Sequence, residues 1–194
     1  MSNLSDIITS RVRIKVLELF FADTTEMYHV REVTRQVKEE INAVRRELER
    51  LHKAGILKRE ARGNRVYYWA RNKHTFYGDL LSMVAKTKGL GAEIIANRNK
   101  IGKVTYVMFS GTFARRSAKK REDQIDILVV GEVLLPELAT LIRAEESRRK
   151  TEINYTVMSR EELDYRKKRR DPFLQEILSG GRVMIIGDEE TLVG

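Results

Sequence analysis

Residues 41–70 read INAVRRELERLHKAGILKREARGNRVYYWA, and the fold of the first part of the chain is decided here. Ile41, Val44, Leu48 and Leu51 recur at helical spacing and put one apolar stripe on a helix running to Ala54. Gly55 follows at the position of a left-handed C-cap. Two β-prone runs come next, Ile56–Glu60 and Arg65–Ala70, on either side of Ala61-Arg62-Gly63-Asn64. A Gly-Asn pair between such runs signals a β-hairpin.

Working back from Ile41, Lys38-Glu39-Glu40 is a polar break. Before it, Arg31–Val37 gives about two helical turns with Val33 and Val37 on one face. Tyr28-His29-Val30 is a short extended lead-in, and Ser10–Phe21 a first helix with seven apolar residues. Helix, helix, helix, hairpin is the order of a winged helix-turn-helix, expected over residues 1–72. In that motif the second helix of the pair lies in the major groove with its early residues at the base edges. Asn42, Arg45, Arg46 and Glu49 face outward from the stripe. Asn pairs with an adenine edge and Arg makes two bonds to guanine. An amphipathic helix with Arg outside is more often a solvated surface than a DNA reader. The hairpin tip shifts the balance, because Arg62, Asn64 and Arg65 put two cations on a thin projection where phosphates or the minor groove are in reach.

Charge agrees with this placement. Of the formal +9, residues 1–88 hold 18 Lys and Arg against 11 Asp and Glu, and residues 89–194 hold 19 against 17. A basic first half suits a polyanion, since each cation that neutralises a phosphate releases a counterion. The chain has no cysteine, which excludes disulfides and thiolate metal sites. His29, His52 and His74 lack metal-ligand spacing and read as surface or cap residues. Neither a leader pattern nor an apolar run of about 20 residues is present, so a cytoplasmic protein without membrane contact is expected.

Beyond the hairpin, Phe76–Lys100 reads as helical, broken at Gly89-Leu90-Gly91, and a helical connector is expected over 73–102. From 103 to 194 strands alternate with helices: strands over Val104–Phe109, Ile125–Val130, Ile153–Met158 and Arg182–Ile186, helices over Leu134–Arg149, Glu161–Lys168 and Asp171–Leu178. The chain as a whole is therefore expected to be α+β, a helical domain with a hairpin followed by a small α/β domain.

The runs SRVRIKVLELFF, VREVTRQV, RRELERLHKAGILKRE and GNRVYYWARN resemble the ArsR-type winged-helix repressors. The resemblance implies a homodimer on a palindromic operator in double-stranded DNA, with the connector helices supplying dimer contacts. The metal-sensing cysteines of some members are missing. Residues 106–131, YVMFSGTFARRSAKKREDQIDILVVG, are similar to the minimal nucleotidyltransferases of the DNA polymerase beta superfamily. Their signature is a strand, Gly-Ser, a short helix with Ala-Arg-Gly, and Ser-Asp-x-Asp on a second strand. The Gly-Ser turn meets a triphosphate and the alternate Asp residues hold Mg²⁺.

Matched residue by residue, Gly111 and Thr112 stand at Gly-Ser, Ala114-Arg115 at Ala-Arg, and Asp126 at the second Asp. Gln124 occupies the first Asp position. Asp123 is next to it but on the opposite face of a regular strand, where only a bulge would rescue it. The third carboxylate falls at Asn154, with Glu152 its same-side neighbour. What the resemblance implies is nucleotide binding at Gly111, Thr112 and Arg115 and a residual metal position at Asp126, in a site without its carboxylate set. The basic runs Lys119-Lys120-Arg121 and Lys167-Lys168-Arg169-Arg170 are solvated surface or contacts to phosphate.

The combination resembles a group of prokaryotic transcriptional regulators. The expectation is a double-stranded DNA-binding regulator whose second half is catalytically inactive and serves dimerisation or the sensing of a nucleotide or protein effector. No cofactor is required on this reading; Mg²⁺ and a nucleotide enter only if the transferase site works. Two rivals stay open: a working Mg²⁺-dependent nucleotidyltransferase targeted by the winged helix, and a toxin–antitoxin component.

Overall fold

A computed structural model describes residues 4–119 and 121–194; Lys120, in the first basic run, lies outside the described residues. The chain is a mixed α+β protein with two sheets and divides into two compact units, one up to Thr87 and one over Lys88–Gly194. The segment expected as a connector divides with them. Among the described residues no helix is long and apolar enough to cross a membrane.

In the first unit Ser10 caps α1 (Arg11–Ala22), its hydroxyl accepting from the Arg13 N–H at 3.3 Å. The buried face of α1, Val16, Leu17, Phe20 and Phe21, meets the apolar stripes of α2 (Val30–Val37) and α3 (Ile41–Lys53). Deeply buried Val33, Val37, Val44, Leu48 and Leu51 account for the spacing read from the sequence. α3 ends at Gly55, whose φ of +75° lets the Ile56 N–H return to the Leu51 carbonyl. β2 (Leu57–Arg62) and β3 (Arg65–Ala70) form the hairpin, with Arg62 opposite Arg65 across Gly63-Asn64. The lead-in before α2 is a strand, β1 (Tyr28–His29), paired antiparallel with β3 so that β3 is central. The edge strand β2 is exposed beyond Leu57 and carries Lys58, Arg59, Glu60 and Arg62, a charged edge that resists pairing with other chains. α4 (Tyr77–Thr87) packs on α1, with Tyr77 and Phe21 ring centroids 5.7 Å apart.

The turn between α2 and α3 is clamped to α1. Glu39 accepts from Lys15 at 2.6 Å and pairs with Arg11 at 2.8 Å, and Lys15 also donates to the Val37 carbonyl at 3.0 Å. Hydrogen bonds from Arg11 and then Lys15 hold the Glu39 carboxyl down at about 2. Glu40 caps α3 through the N–H groups of Asn42 and Ala43, both at 2.8 Å. These bonds hold its carboxyl below the usual carboxylate range. Glu39 and Glu40, two of the three polar residues that read only as a break, thus fix where α3 starts and how it leaves the turn.

The second unit opens with α5 (Gly89–Ala96), followed by β4 (Gly102–Ser110), α6 (Gly111–Arg115) and β5 (Ile127–Val133). α7 (Leu135–Arg149), β6 (Tyr155–Met158), α8 (Arg160–Lys168), α9 (Pro172–Ser179), β7 (Arg182–Ile186) and a short α10 (Glu189–Val193) complete it. Sheet order is β6-β5-β4-β7, with β5 and β6 parallel and the other pairs antiparallel. Tyr106, Met108, Leu128 and Val130 face a cluster with Leu163, Leu174 and Leu192 of the last three helices. The alternate residues Val107, Phe109, Ile127 and Val129 are equally buried, so the two central strands are covered on both faces.

Several strand boundaries depart from expectation, and two of them have a cause in the bonding of neighbouring loops. β5 starts at Ile127 rather than Ile125, because Gln124 and Asp126 spend their backbone groups elsewhere: the Gln124 N–H on the Arg121 carbonyl, the Asp126 N–H on Asn154. β6 starts at Tyr155 rather than Ile153, since the Asn154 carbonyl serves both Asp126 and Ile127. At its far end β5 runs past the expected Val130 and through Gly131. Its φ is +141°, and a Cβ there would lie 2.3 Å from the Lys103 carbonyl oxygen, so only glycine lets the strand continue beside β4.

Candidate functional site

Two surfaces gather the residues singled out by sequence. The first is the outer face of α3 with the hairpin tip, where Asn42, Arg45, Arg46, Arg62, Asn64 and Arg65 are all exposed. They differ in what holds them. Arg62 is paired with Glu60 at 3.0 Å and stands 5.7 Å from the Tyr67 ring, whereas no ion pair to Arg65 is found among the described residues. Arg45 and Arg46 likewise form no ion pair there, although both lend charge to the Glu40 cap. Glu49 is tied to Arg59 of β2 at 2.8 Å, bracing the hairpin against α3. Basic residues of α1 behave differently: Arg11 and Lys15 hold Glu39, and Arg13 holds the buried Glu47 at 2.6 Å. Arg31 and Arg35 on α2 are also exposed, four residues apart on one face, and were not singled out by the sequence reading.

The second surface is a pocket of about 460 Å³ lined by Ser110, Thr112, Arg115, Gln124, Phe173 and Gly181 among others. Gln124 donates from Nε2 to the Thr112 hydroxyl at 3.0 Å, and Ser110 and Thr112 share a hydrogen bond of 3.0 Å. Ser110 also caps α6 by accepting from the Phe113 N–H. Gly111 is glycine for a packing reason. Its N–H donates to the Gly181 carbonyl, and a Cβ would stand 2.7 Å from that oxygen. This N–H is therefore engaged within the protein, at the position matched to a phosphate-binding turn.

Asp126 does not line the pocket. It is 1% exposed, and its Oδ2 receives the Lys119 ammonium at 2.6 Å and the Asn154 N–H at 2.9 Å. Its Oδ1 has no hydrogen-bond partner among the described residues. Asn154 lies beside Asp126, and its side-chain amide donates to the carbonyls of Glu122 and Gln124 and fastens the 122–124 loop. Asp123 is paired with Arg121 at 3.0 Å, and Arg121 also reaches Glu176 of α9 at 2.8 Å. Mg²⁺ requires several oxygen ligands, mostly anionic or water, in octahedral array. Here one buried carboxylate faces an ammonium, its two matched neighbours are amides, and no cluster of three or more metal-binding side chains occurs among the described residues. The residues present do not fit a two-metal centre.

The chain matches no protein-family model, no curated protein and no solved structure.

Two further residues brace the end of α6 and escaped the sequence reading. Glu145 on α7 is nearly fully buried and binds Arg149 at 2.6 Å. Arg149 donates to the Phe113 carbonyl at 3.1 Å and stacks 4.0 Å from the Phe113 ring centroid, which anchors the end of α6. Burial pushes the Arg149 guanidinium below its usual value, with Glu145 opposing that shift. The i, i+4 spacing of Glu145 and Arg149 is visible in the sequence; that both are buried is not.

Proposed function

We propose that the chain is a double-stranded DNA-binding transcriptional regulator whose first unit is a winged helix-turn-helix. One observation carries this reading: Asn42, Arg45 and Arg46 are exposed on one helix and Arg65 at a hairpin tip, with none of these arginines ion-paired among the described residues, while α1 locks its cations onto carboxylates. Cations left unpaired on a projecting face are available to phosphates and guanine edges. On this reading α3 enters the major groove, the hairpin contacts the backbone or minor groove, and Arg31 and Arg35 add phosphate contacts.

The second unit, on the same proposal, is a nucleotidyltransferase-like scaffold without transferase chemistry, serving dimerisation or the sensing of an effector in the pocket. Supporting this are the Gln124–Thr112 bond in place of a carboxylate and the Lys119–Asp126 pair. The regulator acts as a homodimer on a palindromic site. The test is binding of purified protein to its own promoter DNA across a salt series, with Arg45→Ala and Arg46→Ala alongside. Sequence-preferring binding that the variants lose supports the proposal; no binding of any duplex at low salt overturns it.

A further inference from the structure

The corner between α8 and α9 carries a basic and aromatic surface that the proposed function does not use. Residues 165–170 read Tyr-Arg-Lys-Lys-Arg-Arg, five cations with no acid among them. Two are engaged internally: Arg166 pairs with Glu162 at 2.8 Å and Asp171 at 3.2 Å, and Lys167 donates to the Thr191 and Gly194 carbonyls. Lys168, Arg169 and Arg170 are exposed and form no ion pair among the described residues. A helix end attracts cations through its dipole, but one or two within the last turn satisfy that effect.

Aromatic rings interleave with these charges. Tyr165 is 57% exposed and Phe173 41% exposed, although both are large apolar rings. Each has a guanidinium over it, Arg169 at 5.0 Å from Tyr165 and Arg166 at 5.7 Å from Phe173. Beside Tyr165 lies a groove of about 270 Å³ lined by Glu162, Tyr165, Arg166, Arg169 and Asp171, whereas Phe173 lines the larger pocket described above. A duplex presents phosphates to such a surface but has no free base face to lay on the rings. Unpaired bases stack on exposed aromatics while lysine and arginine track the backbone.

We infer that the α8–α9 corner is a binding surface for a single-stranded nucleic acid, with a base stacked on Tyr165 and phosphates on Lys168, Arg169 and Arg170. Both carboxylates in the groove, Glu162 and Asp171, are paired with Arg166, so neither faces an incoming phosphate as an uncompensated anion. This inference stands apart from the duplex-binding face of the first unit, and its test separates the two.

The experiment is fluorescence anisotropy of the full chain with a labelled oligothymidylate, with oligouridylate and inorganic polyphosphate as competitors. Tyr165→Ala weakens oligothymidylate binding roughly five- to 150-fold, the loss of one stacked base, and Tyr165→Phe retains it. Lys168→Ala/Arg169→Ala/Arg170→Ala weakens it and lowers the salt dependence by about 2, at about 0.7 per phosphate contact. Arg45→Ala/Arg46→Ala leaves it unchanged while reducing duplex binding. Absence of oligothymidylate binding at low salt, equal binding by Tyr165→Ala with unaltered circular dichroism, or equally effective competition by polyphosphate would each overturn the inference. Oligouridylate should compete as well as unlabelled oligothymidylate, since neither stacking nor phosphate contact reads the sugar, and a tenfold difference between the two would overturn this mode of binding.

Discussion

Replacing Lys119 by methionine tests the reading of the second unit most directly. The Lys119 ammonium stands 2.6 Å from the Asp126 carboxylate, which is 1% exposed. Methionine keeps most of the aliphatic stem and removes the charge. Asp126 then retains the Asn154 N–H on Oδ2 and gains nothing on Oδ1. Removing one partner of a buried pair costs about 3–5 kcal/mol, because the other charge stays desolvated. The Lys119 side chain is 27% exposed, so water enters along its path and the expected cost falls to about 2–4 kcal/mol. Asp126→Asn should cost less, about 1 kcal/mol, since the freed ammonium turns toward solvent and the amide oxygen still accepts from Asn154. The double variant should resemble Asp126→Asn, giving a coupling energy of about 2–4 kcal/mol, the whole cost of Lys119→Met. Urea unfolding followed by far-UV circular dichroism measures all three, with Trp69, the single tryptophan, reading the first unit separately. Added Mg²⁺ should leave the wild-type transition where it is. A Lys119→Met variant within about 0.5 kcal/mol of wild type, or strictly additive costs, would refute the idea that an internal ammonium compensates this carboxylate.

Glu39→Gln should loosen the turn before α3, and the effect should depend on pH in a defined direction. Glu39 is held at about 2 against an ordinary 4.5, so its contribution is complete above 4.5 and is lost as pH falls toward 2. Wild type and variant should therefore differ most near neutrality and converge in acid unfolding below about pH 2; a constant gap would contradict the clamp. Arg45→Ala or Arg46→Ala should cost about 1–3 kcal/mol of binding to specific duplex, whereas Arg65→Ala should weaken all duplexes alike and reduce the salt slope by about 1. Arg62→Ala, already paired with Glu60, should matter less in the same titrations. Gly111→Ala should destabilise the second unit by about 1–3 kcal/mol through collision with the Gly181 carbonyl, and a neutral result in urea would mean the 180–181 loop yields freely.

Periodicity made the first unit readable. Ile41, Val44, Leu48 and Leu51 announce α3, and Gly63-Asn64 announces the hairpin, because helix spacing and two-residue turns are local properties of the chain. Local pattern also exposed Gln124 and Asn154 as amides at positions where the resemblance requires carboxylates. It did not show that β1 joins the hairpin as a third strand, since two residues carry too little alternation to register. The break it read at Gly89-Leu90-Gly91 lies next to the Thr87–Lys88 boundary between the two compact units.

What the sequence determined by itself, then, is which segments are helix or strand and which residue types stand at the candidate sites. Tertiary structure alone decided which of those residues have partners. Arg62 is spoken for by Glu60 two residues away, and Glu39 by Arg11 and Lys15, 28 and 24 positions distant. Asp126 is withdrawn from the pocket onto Lys119, and Asn154, 28 residues further on, closes over it. The reason is physical. A helix or turn is specified by bonds among neighbours in sequence, whereas the availability of a charge depends on burial and on countercharges that reach it only once the chain has folded.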